Sequence, residues 1–133
     1  MITYLLIAVG GALGSMGRYF LNGVVTAITG PTFPWGTMLI NIVGSFAIGF
    51  YATMTDPADG RIRASGAARQ FVMTGICGGF TTFSSFSLQT LTLARDGEWV
   101  RAGGNVIGSV TLCLVAVWVG HLAASWLTLR KGI

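Results

Sequence analysis

Four long apolar stretches separated by three short polar connections set the pattern of the chain. The apolar windows cover about residues 2–27, 35–53, 70–93 and 100–129. A helix that crosses a bilayer needs about 20 mostly apolar residues, and each window is long enough. The connections carry the expected breakers. Pro31 and Pro34 lie in the first, Asp56-Pro57 and Gly60 in the second, and Asp96-Gly97 in the third. The pattern predicts an all-α membrane protein of four transmembrane helices, folded as a single integral membrane domain over residues 1–133.

Small and polar residues interrupt the apolar windows at helical spacings. Gly10 and Gly14, Gly75 and Gly79, and Gly104 and Gly108 each stand four apart, the spacing that lets helix backbones approach closely. Thr37, Asn41 and Ser45 form one polar stripe on the second window, and Asn105, Ser109 and Cys113 form another on the last. Asn41 has two readings: an interhelical hydrogen bond, or an amide facing a passage and donating to an anion. Arg18 either snorkels to an interface or faces an anion. His121 reads as a hydrogen-bonded structural residue rather than a proton relay. The third window is the irregular one. Adjacent Gly78 and Gly79 weaken the helix, hydroxyl residues follow, and a break is predicted at Gly78–Thr82. Irregular backbone at membrane depth persists only where protein or a water-filled space shelters it, so this stretch is the candidate ligand or ion site.

Composition strengthens the membrane reading. The chain is 53% hydrophobic and 9% charged, with a mean hydropathy of +0.72, whereas soluble domains carry about 25% charged residues. Its +4 net charge rests on eight basic residues, mostly in connections, and no basic patch suits nucleic acid. Arg61, Arg63, Arg69, Arg130 and Lys131 fall on the side of both termini and Arg95 and Arg101 on the other, a bias that leans toward cytoplasmic termini. The first window has no basic residue before it and no clear cleavage site, so it is expected to stay in the mature protein. Cys77 and Cys113 read as free, buried thiols acting as small hydrophobes.

The chemistry open to such a chain is narrow. All four acidic residues, Asp56, Asp59, Asp96 and Glu98, lie in connections. No carboxylate stands at membrane depth to carry a proton or hold a cationic substrate, and no serine has a histidine and acid for catalysis. Enzymatic activity is not expected. What remains is the Asn41 amide, Ser and Thr hydroxyls, Arg18, and phenylalanine ring edges, which are the positive part of the ring quadrupole. Weak, uncharged attraction suits conduction of a small anion. Against that, Phe83 and Phe86 stand at i and i+3, a spacing that packing alone explains.

Gly11-Ala12-Leu13-Gly14 with Arg18-Tyr19, Trp35-Gly36-Thr37 through Asn41 to Gly44-Ser45-Phe46, and GICGGFTTFSSF over residues 75–86 together resemble the Fluc (CrcB-type) fluoride ion channel family. The likeness extends to Asn105 and Ser109 and to the run from Ala116 to Gly120. It implies a multi-pass protein of the bacterial cytoplasmic (inner) membrane, an antiparallel dual-topology homodimer that exports fluoride passively through two pores and lowers its toxicity. Asn41 would donate to fluoride, Phe83 and Phe86 would line the route, and Thr82, Ser84 and Ser109 would extend a polar track. Arg18 would sit near a vestibule. Gly78 and Thr81 would offer backbone carbonyls to a structural sodium ion. Two positions depart from the family pattern: Gln89 where a glutamate is common, and Cys113 where small or hydroxyl residues are common. The alternative is a small four-helix multidrug-type exporter, which would be expected to need a membrane carboxylate. A non-transport scaffold would leave both polar stripes without a purpose.

Overall fold

The computed structural model describes residues 1–129, so Arg130 and Lys131 of the charge count lie outside the described residues. Four helical spans are long and apolar enough to cross a membrane: Ile2–Thr29, Trp35–Met54, Gly66–Arg95 and Trp99–Leu129. Three of them are continuous helices, here α1 (Ile2–Thr29), α2 (Trp35–Met54) and α6 (Trp99–Leu129). The third span is composite. It runs through α3 (Gly66–Gln70), a π-helical stretch (Phe71–Cys77), α4 (Gly78–Phe80) and α5 (Phe83–Arg95).

Local chemistry accounts for the boundaries. Gly30 takes a φ of 78° and Gly97 a φ of 80°, left-handed backbone that glycine adopts without a Cβ penalty, and each turns the chain between spans. Pro34 stands directly before α2, where a missing N–H costs nothing. Ser65 caps α3 by accepting from the Ala68 N–H at 3.2 Å. Beyond α2, Asp56 Oδ1 accepts from the N–H groups of Ala58 at 2.9 Å and Asp59 at 3.4 Å. Those bonds, with Arg69 nearby, hold its carboxyl below the usual carboxylate range.

Glycines set the two tightest helix contacts. Gly10, Gly14, Gly75 and Gly79 lie where α1 meets the composite span. A Cβ on Gly10 would stand 2.6 Å from the Phe71 carbonyl oxygen, and one on Gly79 would stand 2.5 Å from that of Gly11. One on Gly14 would overlap the Ile76 oxygen. The second contact joins α2 to α6. Gly49 lies against the Val117 carbonyl and Gly120 against that of Phe46, with no room for a side chain at either. The Gly104–Gly108 pair does not form such a contact: Gly104 meets open space within the chain, and a Cβ on Gly108 would find only the Met38 side chain at 3.3 Å. A four-residue spacing permits close approach, but the opposite helix decides where it happens.

Polar side chains tie the spans together at one end of the bundle. Arg61 Nη1 donates to the Leu127 carbonyl at 3.2 Å, in the last described turn of α6. Arg69 Nη1 donates to the Thr55 hydroxyl at 2.6 Å and to the Thr55 carbonyl. Two arginines of the polar connection thus hold helix ends as well as carrying charge. His121 Nδ1 is 2.9 Å from the Thr53 hydroxyl, which joins α6 to α2 and gives the histidine a structural bond.

Candidate functional site

The break in the composite span is made by two diverted hydrogen bonds. In a continuous α-helix the Thr82 N–H would donate to the Gly78 carbonyl and the Ser85 N–H to the Thr81 carbonyl. Here the Thr82 N–H donates to Asn41 Oδ1 at 2.8 Å, and the Ser85 N–H donates to the Thr82 hydroxyl at 3.1 Å. Asn41 Nδ2 completes the clamp by donating to the Thr82 carbonyl at 3.1 Å. Thr81 and Thr82 are extended, with φ, ψ of −81°, 158° and −153°, 112°. The break is therefore narrower than the Gly78–Thr82 expected from residue types. Gly78–Phe80 stays helical, because glycine weakens a helix without ending it, whereas the Asn41 clamp removes a bond the helix needs.

Two kinds of polar group are left at the break. The carbonyls of Gly78 and Thr81 lose their helical donors and are free to meet a hard cation. On the other side Thr82 caps α5, whose N-terminal N–H groups form the positive end of a half-helix. Discontinuous helices at membrane depth handle ions in this way, carbonyl ends for cations and N-termini for anions.

A cavity of about 380 Å³ lies beside the break. It gathers Asn41, Thr82, Phe83, Phe86 and Ser109, with Gly78 and Thr81 at its wall. The two rings sit with centroids 5.2 Å apart and planes inclined by 51°. Their environments differ: Phe83 is 76% exposed and Phe86 only 7%. Asn41 uses one Nδ2–H on Thr82, which leaves its other N–H as a donor. The interhelical bond of that residue is present, and its amide also borders the cavity. Ser109 donates to Asn105 Oδ1 at 3.3 Å, Asn105 Nδ2 donates to the Thr90 hydroxyl at 2.8 Å, and Thr90 donates to the Phe86 carbonyl at 2.8 Å. This relay holds α5 against α6. Ser109 must rotate its proton away from Asn105 to donate into the cavity.

Two predicted residues stand elsewhere. Ser84 is exposed, outside the lining of this cavity, and reaches it only through a 3.3 Å contact with the Thr82 hydroxyl. Arg18 lines a second cavity of about 280 Å³, with Ser15, Thr37, Ser85 and Gln89, on the other side of Thr82. Thr82 is common to both. Gln89 Oε1 is buried there without a hydrogen-bond partner. The stripe of the second window is thus split, Thr37 facing the Arg18 cavity and Asn41 and Ser45 the larger one. Reasoning from sequence missed the Thr90–Asn105 relay and the place of the cysteines. Thr90 lies four residues after Phe86, a spacing that would have found it. Cys77 is buried and Cys113 half-buried, and both border the larger cavity rather than only filling the core.

Residues 5–121 match the family described as CrcB-like protein, camphor resistance (CrcB). The chain belongs to this family. Among its CrcB-like relatives, the fluoride-specific ion channel FluC of Opitutus terrae is 64% identical over 132 residues, 99% of each chain. The fluoride-specific ion channel FluC of Paramagnetospirillum magneticum is 58% identical over 125 residues, 94% of this chain and 97% of its own. That of Rhodospirillum rubrum is 57% identical over 123 residues, 92% and 95% of the two chains. The name these CrcB-like relatives share is that of a channel and not of an enzyme.

Proposed function

We propose that this CrcB-like protein is a fluoride channel that lets the ion leave the cytoplasm passively. The observation that carries the reading is the Asn41–Thr82 clamp: it opens the backbone at membrane depth beside a cavity that holds the Asn41 amide, the Phe83 and Phe86 rings and Ser109. The free Asn41 N–H donates to the dehydrated anion. The edges of the phenylalanine rings attract it weakly, and Thr82 and Ser109 hydroxyls supply the next donors. Ser84 serves the exposed end of the track. Arg18, in the adjoining cavity, raises the local concentration of anions without a strong binding contact.

The channel works as an antiparallel, dual-topology homodimer in the bacterial inner membrane, with two pores. Its structural cation is sodium, held by the main-chain oxygens of Gly78 and Thr81. The residues fit that ion, because the Thr82 and Ser85 N–H groups that a continuous helix would give these carbonyls bond elsewhere, and a two-fold axis doubles the oxygen set. When bound, the cation would neutralise the carbonyl ends of the broken helices. The multidrug-type exporter is the weaker reading: Asp56, Asp59, Asp96 and Glu98 are all exposed in connections, far from any role as a counter-charge in the bundle.

Efflux from liposomes tests the reading. Purified protein in vesicles loaded with potassium fluoride should release fluoride when valinomycin carries the counter-current, and potassium chloride vesicles should hold their anion. Equal release of chloride, or fluoride movement that requires a proton gradient, overturns it.

A further inference from the structure

We propose that the cavity beside the break contains a second kind of site, a sulfur site for a soft d10 metal ion such as Ag⁺ or Cu⁺. Three sulfur side chains border that one cavity: Met73 and Cys77 from the π-helical stretch and Cys113 from α6. Met73 and Cys77 stand four apart on one strip of their helix, and Cys113 follows Ser109 by four on α6, so two different helices bring sulfur to this cavity. Both cysteines are free of disulfide bonding.

Ligand type selects the metal. Thiolate and thioether donors favour soft ions, while magnesium, calcium and manganese take carboxylate, carbonyl and water. The cavity is lined by no carboxylate or histidine, and its remaining wall includes Ile48, Val110 and Leu114. Charge balance also fits an apolar site. As the metal binds, the half-buried Cys113 thiol gives its proton to water and its sulfur bonds the ion. One thiolate with one monovalent cation is neutral overall, and the Cys77 and Met73 sulfurs complete the set as uncharged donors. A divalent ion would leave a net charge in lipid, which is costly. Because the same cavity holds Asn41, Phe83 and Phe86, the bound ion obstructs the route of the proposed anion; this consequence rests on the channel reading, whereas the metal site itself does not.

Silver titration of the full-length protein in detergent, in chloride-free buffer, tests the site. The expected result is one Ag⁺ per chain, with release of one proton and protection of both cysteines from maleimide. Cys77→Ser and Cys113→Ser should each weaken binding by about tenfold or more, the lower end of what metal-site changes cost, and Met73→Leu by less. Unchanged affinity in the double serine variant, or two independent Ag⁺ per chain, overturns the proposal. Fluoride efflux with and without Ag⁺ then separates the two readings. Block in the wild type that is lost in the double variant supports both, while stoichiometric, cysteine-dependent binding without block keeps the metal site and removes the cavity from the route.

Discussion

Asn41 holds the break open with one face of its amide, so its two functions can be separated by substitution. Asn41→Ala leaves the Thr82 N–H and carbonyl without partners at membrane depth, at a cost of about 1–3 kcal/mol for each orphaned group. Both fluoride efflux and thermal stability should fall. Asn41→Asp keeps an acceptor for the Thr82 N–H. It removes the donor and puts a carboxylate beside the cavity. This variant should lose the flux and, with the Thr82 carbonyl unpartnered and a charge at membrane depth, part of the stability as well. Wild-type flux in Asn41→Asp would show that the amide only clamps. Phe83 permits a cleaner test than Phe86, because a ring that is 76% exposed contributes little to packing. Phe83→Ile should reduce fluoride efflux at least severalfold while the melting temperature moves by only a few degrees, since surface changes rarely exceed about 0.5 kcal/mol. Undiminished efflux would remove the ring from the ion's route.

At the scale of elements, glycines pack α1 tightly against the turns that precede the break. Gly79→Ala would drive a methyl into the Gly11 carbonyl oxygen, 2.5 Å away, and part the two spans. Overpacking of this kind costs about 1–3 kcal/mol. Gly23→Ala meets open space on α1 and should be neutral or gain about 0.5–1 kcal/mol from helix propensity. Thermal melts of the two variants check this, and equal stability would mean that the contact is not tight. These elements were legible to different degrees. The four spans were visible because bilayer thickness imposes an apolar run that needs no tertiary context. The glycines of α1 and of the third span were visible for a similar reason, each pair lying on one strip of its own helix. The π-helical stretch over Phe71–Cys77 was not, because it is a change of hydrogen-bond register with no residue pattern of its own. Nor was the true extent of the break, since it depends on an asparagine 41 residues away. The contact of Gly49 with Gly120's helix was hidden likewise, because its partners lie on different spans. The cavity residues carried by the family likeness, Asn41, Thr82, Phe83, Phe86 and Ser109, come together in space; what they do there is a proposal for the flux experiments.

For the whole molecule, the break raises the question of what satisfies its carbonyls. Gly78 is exposed, and its carbonyl and that of Thr81 have lost their helical donors. Bare carbonyls cannot face lipid, where each unsatisfied group costs several kcal/mol. A second copy related by a two-fold axis would cover them, but it would also bring like dipoles face to face. A cation between the copies removes that repulsion, so the proposed dimer and the proposed sodium ion depend on each other. Sodium at a hundred times its dissociation constant would add about 2.7 kcal/mol to the assembly that binds it. Heating the detergent-solubilised protein in sodium buffer and in N-methylglucamine buffer, with light scattering to follow mass, should show a dimer that dissociates at a lower temperature without sodium. Potassium should not replace it if the carbonyl cage has a fixed size. An identical transition in all three buffers would remove sodium from the assignment while leaving the dimer. A monomer in all of them would remove both, and would require the Gly78 and Thr81 carbonyls to be satisfied by water within a single chain.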